Sequence, residues 1–132
     1  MSRYAGWSEE AIAKYESGKK MAAEPIAAER DELKACLELL EIHPKVAFAY
    51  RANTGMSRFG EPGSERYVRF GPTGQPDITG LLVGGRRLDW EVKRKGKKPT
   101  PDQNAFLARS QAAGGFAGWG TMSDLKKALD EL

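Results

Sequence analysis

The sequence predicts an α/β fold in which a small mixed β-sheet is flanked by helices. Three observations lead to this prediction. Residues 76–93 read as two short strands joined by a turn at Gly84-Gly85, Thr100 to Gln103 form a capping box that opens a helix, and Phe116 to Trp119 read as a last strand. The helix between the second and last of these strands would then be a crossover between parallel strands, right-handed by the usual rule.

Length and composition are those of one ordinary globular domain. The chain has 132 residues, of which 40% are hydrophobic and 30% charged. It contains no apolar run long enough to cross a bilayer, and its first residues are polar, so we expect neither a membrane partner nor a signal peptide. Cys36 is the sole cysteine, which fits a reducing cytoplasm, and His43 is the sole histidine, so a metal would need oxygen ligands.

Two helices are predicted before the first strand. Ser8 is a plausible N-cap for a short helix that ends near Glu16. A second helix begins near Pro25 and runs to about Ile42, before His43-Pro44. Its apolar face recurs at helical spacing and consists of Leu33, Cys36, Leu37 and Leu40.

A glutamate on the second helix is a candidate for the functional site. Glu29 lies four residues before Leu33 and should therefore project from the core-facing side, where a carboxylate needs a cation or another partner. Glu32 lies four residues before Cys36 and is the rival candidate. Either residue could instead be an ordinary glutamate that the helix dipole favours.

Val46 to Arg51 read as a strand that stops at Asn53-Thr54-Gly55. The chain from Met56 to Gln75 is predicted to be a long loop with one strand-like piece, Arg66 to Phe70. This region is basic, with aromatic residues between the arginines, which are Arg51, Arg58, Arg66 and Arg69. Such a mixture suits contacts to phosphates and bases, although a plain surface flap is the alternative. Its glycines are not followed by Gly-Lys-Ser/Thr, which excludes a Walker-type NTPase.

The hairpin carries the residues with the clearest chemistry. Side chains alternate along its second strand, so Leu88, Trp90 and Val92 point one way, and Asp89, Glu91 and Lys93 point the other. Asp77 lies where the chain enters the first strand, and strand pairing can bring it beside Glu91. Two carboxylates and a lysine can hold a hard divalent cation and stabilise a phosphoryl-transfer transition state. The alternative is a turn aspartate and a solvated Glu-x-Lys face.

Charge is concentrated beside this hairpin. The chain carries a net charge of only +3, but residues 86–98 hold seven basic side chains against two acidic ones. Four of the basic side chains follow the second strand and are Arg94, Lys95, Lys97 and Lys98. Basic groups beside two carboxylates favour a polyanion such as nucleic acid as the partner, although such a loop also aids solubility.

The remaining elements are two helices and the strand between them. The first helix runs from the Thr100 cap to about Ala113, and its Gln103 could either complete the capping box or face the functional site. Ser123 is predicted to cap a final helix through Leu129, with Leu125 and Leu129 on one face.

Several spaced motifs, in one order, resemble those of the VRR-NUC family, which belongs to the PD-(D/E)XK nuclease superfamily. The motifs are Arg51 to Gly55, Arg66 to Gly71, Gly74 to Gly80, Glu91 to Arg94, Thr100 to Gln103 and Ala113 to Gly115. The resemblance covers roughly Glu29 to Leu129, so it implies a nuclease domain over residues 25–132 and leaves residues 1–24 as an N-terminal extension.

The resemblance implies a restriction-endonuclease-like core and an endodeoxyribonuclease that uses Mg²⁺ or Mn²⁺. It implies that Asp77, Glu91 and the Val92 carbonyl are metal ligands. It also makes Lys93 the catalytic lysine, Glu29 the helix carboxylate, with Glu32 still possible, and Gln103 a supporting residue. Stand-alone members, commonly from phages and bacteria, resemble Holliday-junction resolvases that act as homodimers on branched DNA. A catalytically weak DNA-binding or assembly module of the same fold, and an exonuclease, remain alternatives.

Overall fold

The computed structural model describes residues 8–10, 24–52 and 55–132. Its helices and strands are α1 Glu24–Ile42, β1 Val46–Arg51, β2 Gly55–Phe59, β3 Arg66–Phe70, β4 Ile78–Leu82, β5 Arg87–Val92, α2 Pro101–Ala112, β6 Phe116–Gly120 and α3 Met122–Asp130. The main sheet has four strands in the order β1-β4-β5-β6. Strands β1, β4 and β5 are antiparallel neighbours, and β6 runs parallel to β5 after the α2 crossover. The predicted α/β class with a mixed sheet flanked by helices is confirmed.

Helices cover both faces of the sheet. Helices α1 and α3 contact each other and pack on one face, where Cys36, Leu40, Leu125 and Leu129 are buried against the apolar side of β5. Helix α2 contacts β5 and β6 from the other face, where Ser110 donates a hydrogen bond to Asp89. The predicted apolar faces of α1 and α3 are therefore confirmed, and the polar side of β5 lies under a helix rather than in solvent.

The predicted hairpin forms, but its turn is one residue longer than the two-residue turn that the glycine pair indicates. The Leu82 amide donates to the Arg86 carbonyl at 2.8 Å, which leaves Val83, Gly84 and Gly85 in the turn. Both glycines have positive φ angles, 100° and 98°, as the turn requires. The longer turn preserves the register in which Ile78 pairs with Trp90.

Strand β2 lies in the segment that was predicted to be loop. Residues Gly55–Phe59 pair with β3 in a separate antiparallel two-stranded sheet, while the β3 prediction is confirmed. The sequence Gly-Met-Ser-Arg-Phe has no β-branched residue and no alternation of apolar side chains. Pairing with β3, and not local propensity, therefore defines this strand.

The last helix begins earlier than predicted. Thr121, and not Ser123, is the N-cap of α3, because Thr121 and Asp124 form a capping box. Asp124 lies at the third helical position, where its carboxylate accepts a hydrogen bond from the Thr121 amide at 2.9 Å.

The N-terminal helix predicted from Ser8 to Glu16 lies outside the described residues except at residues 8–10. Within the described part of the chain, no helix is long and apolar enough to cross a membrane.

Candidate active site

The antiparallel register of the hairpin brings Asp77 and Glu91 together. Because Ile78 pairs with Trp90, the preceding residue Asp77 lies opposite Glu91. The Asp77 carboxylate accepts a hydrogen bond from the Val92 amide at 3.0 Å. Its backbone carbonyl accepts another from the Ala52 amide at 2.8 Å. The side chain and the backbone of Asp77 are thus both fixed at the start of β4, beside the end of β5.

Glu91 is a buried carboxylate with one unsatisfied oxygen. The residue is only 3% exposed, which excludes the alternative of a solvated face. Its Oε1 accepts a hydrogen bond from Gln103 Nε2 at 3.1 Å and lies 3.6 Å from Lys93 Nζ. Its Oε2 is buried and receives no hydrogen bond from a protein donor. When Glu91 is protonated, it can hydrogen-bond to the neighbouring carboxylate of Asp77. A buried, unpaired carboxylate oxygen is costly, and in native proteins it commonly marks a catalytic group or an ion site.

Asp89, two residues earlier on the same face, shows how a structural carboxylate differs. It is fully buried and accepts hydrogen bonds from Arg87 at 2.6 and 3.0 Å, from Ser110 at 2.8 Å and from Thr79 at 3.2 Å. The bond to Asp89 also raises the pKa of Arg87. The protein therefore satisfies one buried acid completely and leaves its neighbour, Glu91, incomplete.

The protonation of Glu91 reflects this incomplete environment. Burial, followed by the nearby charge of Asp77 and a hydrogen bond with it, raises the pKa of Glu91 to about 8, although Lys93 acts in the opposite direction. Two carboxylates this close cannot both ionise cheaply in a buried site. A bound cation would relieve this repulsion and favour the ionised form of both groups.

Lys93 is held beside the carboxylate pair. Its backbone amide donates to the Gly120 carbonyl at 2.9 Å, which ties the end of β5 to the end of β6. Its side chain is 14% exposed, with the ammonium group 3.6 Å from Glu91 Oε1. The ammonium group is therefore partly desolvated but still reachable from the surface.

These side chains line one cavity of about 430 Å³. The lining residues are Glu29, Arg30, Leu33, Arg51, Asp77, Glu91, Val92, Lys93 and Gln103. All six residues that the sequence assigns to catalysis or to metal binding are therefore brought together. Arg51, predicted to contact nucleic acid, lies there as well. Arg30 was missed, because adjacent residues of a helix do not normally face the same site and no motif singles it out.

The structure favours Glu29 over Glu32 as the helix carboxylate of the site. Glu32 Oε2 accepts a hydrogen bond from the Met122 amide at 2.7 Å and so holds the first residue of α3. Glu29 lines the cavity, but it is exposed. The expectation that Glu29 projects from the core-facing side is therefore wrong, because Glu29 lines the cavity while its side chain remains open to solvent.

Gln103 fills both of the roles that the sequence leaves open. Its Oε1 accepts a hydrogen bond from the Thr100 amide at 2.8 Å, which completes the capping box, and its Nε2 donates to Glu91. The single side chain thus links the start of α2 to the carboxylate pair.

The two roles of Gln103 can be separated by substitution. Gln103→Glu retains a capping acceptor but replaces the donor to Glu91 with a negative charge, whereas Gln103→Ala loses both contacts. We expect the alanine variant to lose about 1 kcal/mol of helix-cap stability in chemical denaturation. The glutamate variant should retain the cap and weaken function more strongly than the alanine variant. Wild-type function in both variants would show that the contact with Glu91 is unimportant, because neither retains the donor to Glu91.

Of the other residues predicted to contact nucleic acid, those whose side chains the structure describes lie outside the cavity lining. Arg94 is half-buried, and Lys95, Lys97 and Lys98 are exposed in the loop between β5 and α2 that begins directly after Lys93. Arg66 is exposed at the start of β3. The side chains of Arg58 and Arg69 lie outside what the structure describes.

The residues of the cavity fit a hydrated hard cation. In residues 8–10, 24–52 and 55–132, no three His, Cys, Asp or Glu side chains are gathered as a metal-binding group. Mg²⁺ does not require such a cage, since it usually retains several waters and takes one or two carboxylates. Asp77 and Glu91 supply two neighbouring carboxylates, and the Oε2 atom of Glu91 lacks a protein donor. This pair matches that mode of binding.

The raised pKa of Glu91 predicts how metal-free stability changes with pH. The group holds its proton to about pH 8 in the folded protein, against a usual pKa of 4.5. The folded state therefore binds more protons than the unfolded state between these values, and stability falls as pH rises through this range. We expect Glu91→Gln, which removes this penalty, to raise the Tm in EDTA at pH 8–9 and to have a smaller effect at pH 5. Thermal unfolding across this range tests the prediction, and a difference in Tm that does not change with pH would contradict it.

Comparisons with protein-family models and with curated proteins found no match to this chain. The case for a function therefore depends on the motifs and on the geometry of the cavity.

Proposed function

We propose that the chain is a divalent-metal-dependent endodeoxyribonuclease that hydrolyses phosphodiester bonds. The observation that carries this proposal is the unsatisfied, buried Oε2 of Glu91, which lies beside a second carboxylate and a lysine in one basic-rimmed cavity. Structural carboxylates are normally completed by protein donors, as Asp89 is here. A carboxylate pair left incomplete next to cationic side chains suits a metal ion and a phosphate.

Asp77, Glu91 and the Val92 carbonyl would hold Mg²⁺ or Mn²⁺, which polarises a phosphoryl oxygen and lowers the pKa of a bound water. Lys93 orients the attacking water and offsets the negative charge that develops on the phosphoryl oxygens. Gln103 fixes the orientation of the Glu91 carboxylate through its 3.1 Å hydrogen bond. Glu29, which shares the cavity, is in a position to accept a hydrogen bond from water.

Cationic side chains around the cavity would bind the DNA backbone. Arg30 and Arg51 line the cavity itself, and the loop after Lys93 presents Lys95, Lys97 and Lys98 to solvent. Phosphate contacts of this kind give little sequence preference and an affinity that falls steeply with salt. We therefore expect selectivity for DNA shape rather than for sequence.

The motif resemblance extends the proposal to branched DNA and to a homodimer. Two such sites related by a twofold axis would suit paired cuts in a symmetric four-way junction. We place this activity in the cytoplasm of a bacterium or of a phage-infected cell. Sedimentation of the pure protein, with and without a junction, tests the dimer, and a monomer under both conditions would contradict it.

Cleavage of labelled four-way junction, flap and linear duplex DNA, each with Mg²⁺, Mn²⁺ or EDTA, tests the substrate class. We expect metal-dependent cutting of the branched substrates and weaker cutting of the linear duplex. Equal cutting of linear duplex would refute the branched preference, and a requirement for a free end would show an exonuclease. Junction binding without cleavage in any metal would instead identify a DNA-binding module.

A further inference from the structure

The sheet face that holds Asp77 and Glu91 continues onto two aromatic residues of β1. Strand register places Tyr50 opposite Thr79, and Thr79 opposite Asp89. Residues opposite each other share a face, and every second residue along a strand does too. Tyr50 and then Phe48 therefore lie on the face of the carboxylate pair, one and two steps farther from it. Their rings lie parallel within 12°, with centroids 6.5 Å apart.

Packing among the described residues does not explain this part of the sheet. Phe48 is 55% exposed and Tyr50 is 57% exposed. Strand β1 is at the edge of the four-stranded sheet, and the helix on this face, α2, has its strand contacts with β5 and β6. Natural edge strands are usually protected by charged residues or by proline, and exposed apolar side chains that adjoin one another on such a strand are candidates for a binding surface.

An arginine that is paired with a buried carboxylate lies on the same face as the two rings. Register places Arg87 on the same face, across β4 from Phe48. The guanidinium of Arg87 lies 5.8 Å from the centre of the Phe106 ring, and its side chain is 55% exposed. Asp89, the carboxylate on the same face, is fully buried and paired with Arg87. Because this ion pair carries no net charge, the bases of a single-stranded nucleic acid, and not its phosphates, are the groups that the two exposed rings suit.

We infer that Phe48 and Tyr50 form a stacking platform for unpaired nucleotides of the strand that is cut, an inference that rests on the proposed nuclease function. The Ala52 amide bonds to the Asp77 carbonyl, so Ala52 marks the level of the carboxylate pair along β1. At about 3.3 Å per residue, Tyr50 lies about 7 Å and Phe48 about 13 Å farther along β1. Bases close to the scissile phosphate would reach the two rings. The platform thus defines the substrate as DNA with unpaired nucleotides next to the cut.

Binding of a labelled thymidine oligonucleotide of about 20 nucleotides, measured in EDTA, tests the platform without any cleavage. Phe48→Ala and Tyr50→Ala remove exposed rings and should leave the fold intact. Each is expected to weaken binding by about tenfold, the usual effect of losing one stacked base. Phe48→Leu, which retains an apolar side chain without a π-face, should weaken binding nearly as much. Ile42→Ala, which shortens another exposed apolar residue, should have no effect.

An abasic oligonucleotide of the same length separates stacking from phosphate contacts, since it should bind weakly and equally to wild type and variants. Unchanged affinity for the thymidine oligonucleotide in Phe48→Ala and Tyr50→Ala would overturn the inference. The inference would also be overturned if sedimentation showed that these two variants lose only self-association. The two rings would then form an interface between two copies of the chain. If the variants lose oligonucleotide binding while wild type cuts no DNA in any metal, the platform stands and the nuclease proposal fails.

Discussion

Asp77→Asn is expected to abolish DNA cleavage and metal binding while leaving the fold in place. The asparagine side chain can still accept the hydrogen bond that the Val92 amide donates to Asp77 at 3.0 Å, so the hairpin should retain its geometry. The substitution removes one of the two charges that would hold the cation. A bound metal supplies several kcal/mol of transition-state stabilisation, and each 1.36 kcal/mol is tenfold in rate. We therefore expect the cleavage rate to fall by about 10³-fold or more.

Thermal unfolding measures the loss of metal binding independently of cleavage. Mg²⁺ should raise the Tm of the wild-type protein at pH 8, because a ligand of the folded state stabilises that state. It should not raise the Tm of Asp77→Asn. Asp102→Asn is the matched control, since Asp102 is an exposed acid in the first turn of α2. An Asp77→Asn variant that retains a cleavage rate within tenfold of wild type would show that Asp77 is not a metal ligand.

Lys93→Met is expected to lower the cleavage rate by about 10²–10³-fold, the usual cost of removing one group that stabilises transition-state charge. Methionine retains the length and apolar stem of the side chain, which is 14% exposed, and removes only the ammonium group. DNA affinity at a given salt concentration should change little, because we expect the loop with Lys95, Lys97 and Lys98 to provide most of the backbone contacts. Rates at saturating DNA, compared with binding in EDTA, separate the two effects.

Lys95→Met is the matched control for Lys93→Met. Lys95 is an exposed residue of the loop that follows Lys93, so its substitution should weaken DNA binding. The slope of log affinity against log salt concentration should fall by about one, as expected for the loss of one phosphate contact. The rate at saturating DNA should remain that of wild type. If both variants lose affinity equally and neither loses rate, Lys93 contributes only to DNA binding.

The parts of the fold that the sequence predicts are those encoded by local periodicity. The apolar stripe of α1, the hairpin, the Thr100 capping box and the strand after α2 each follow from neighbouring residues. The pairing of Asp77 with Glu91 also follows from these patterns, because the hairpin fixes the register across the strands.

The features that the sequence did not predict depend on contacts between distant segments. Strand β2 forms because β3 pairs with it, and Glu29 is favoured over Glu32 because Glu32 accepts a hydrogen bond from the start of α3. Exposure of Phe48 and Tyr50 depends on which strands α2 covers. The incomplete environment of Glu91 becomes visible only when every donor around it has been placed.

The most direct test of the nuclease site uses a four-way junction whose arms are closed by hairpin loops, so that no free end is present. Wild type and Asp77→Asn would each be incubated with this substrate in Mg²⁺ and in EDTA. The proposed site predicts strand scission by wild type in Mg²⁺ alone and none by the variant. Scission that persists in EDTA or in Asp77→Asn, or no scission by wild type in Mg²⁺ or Mn²⁺, would contradict it.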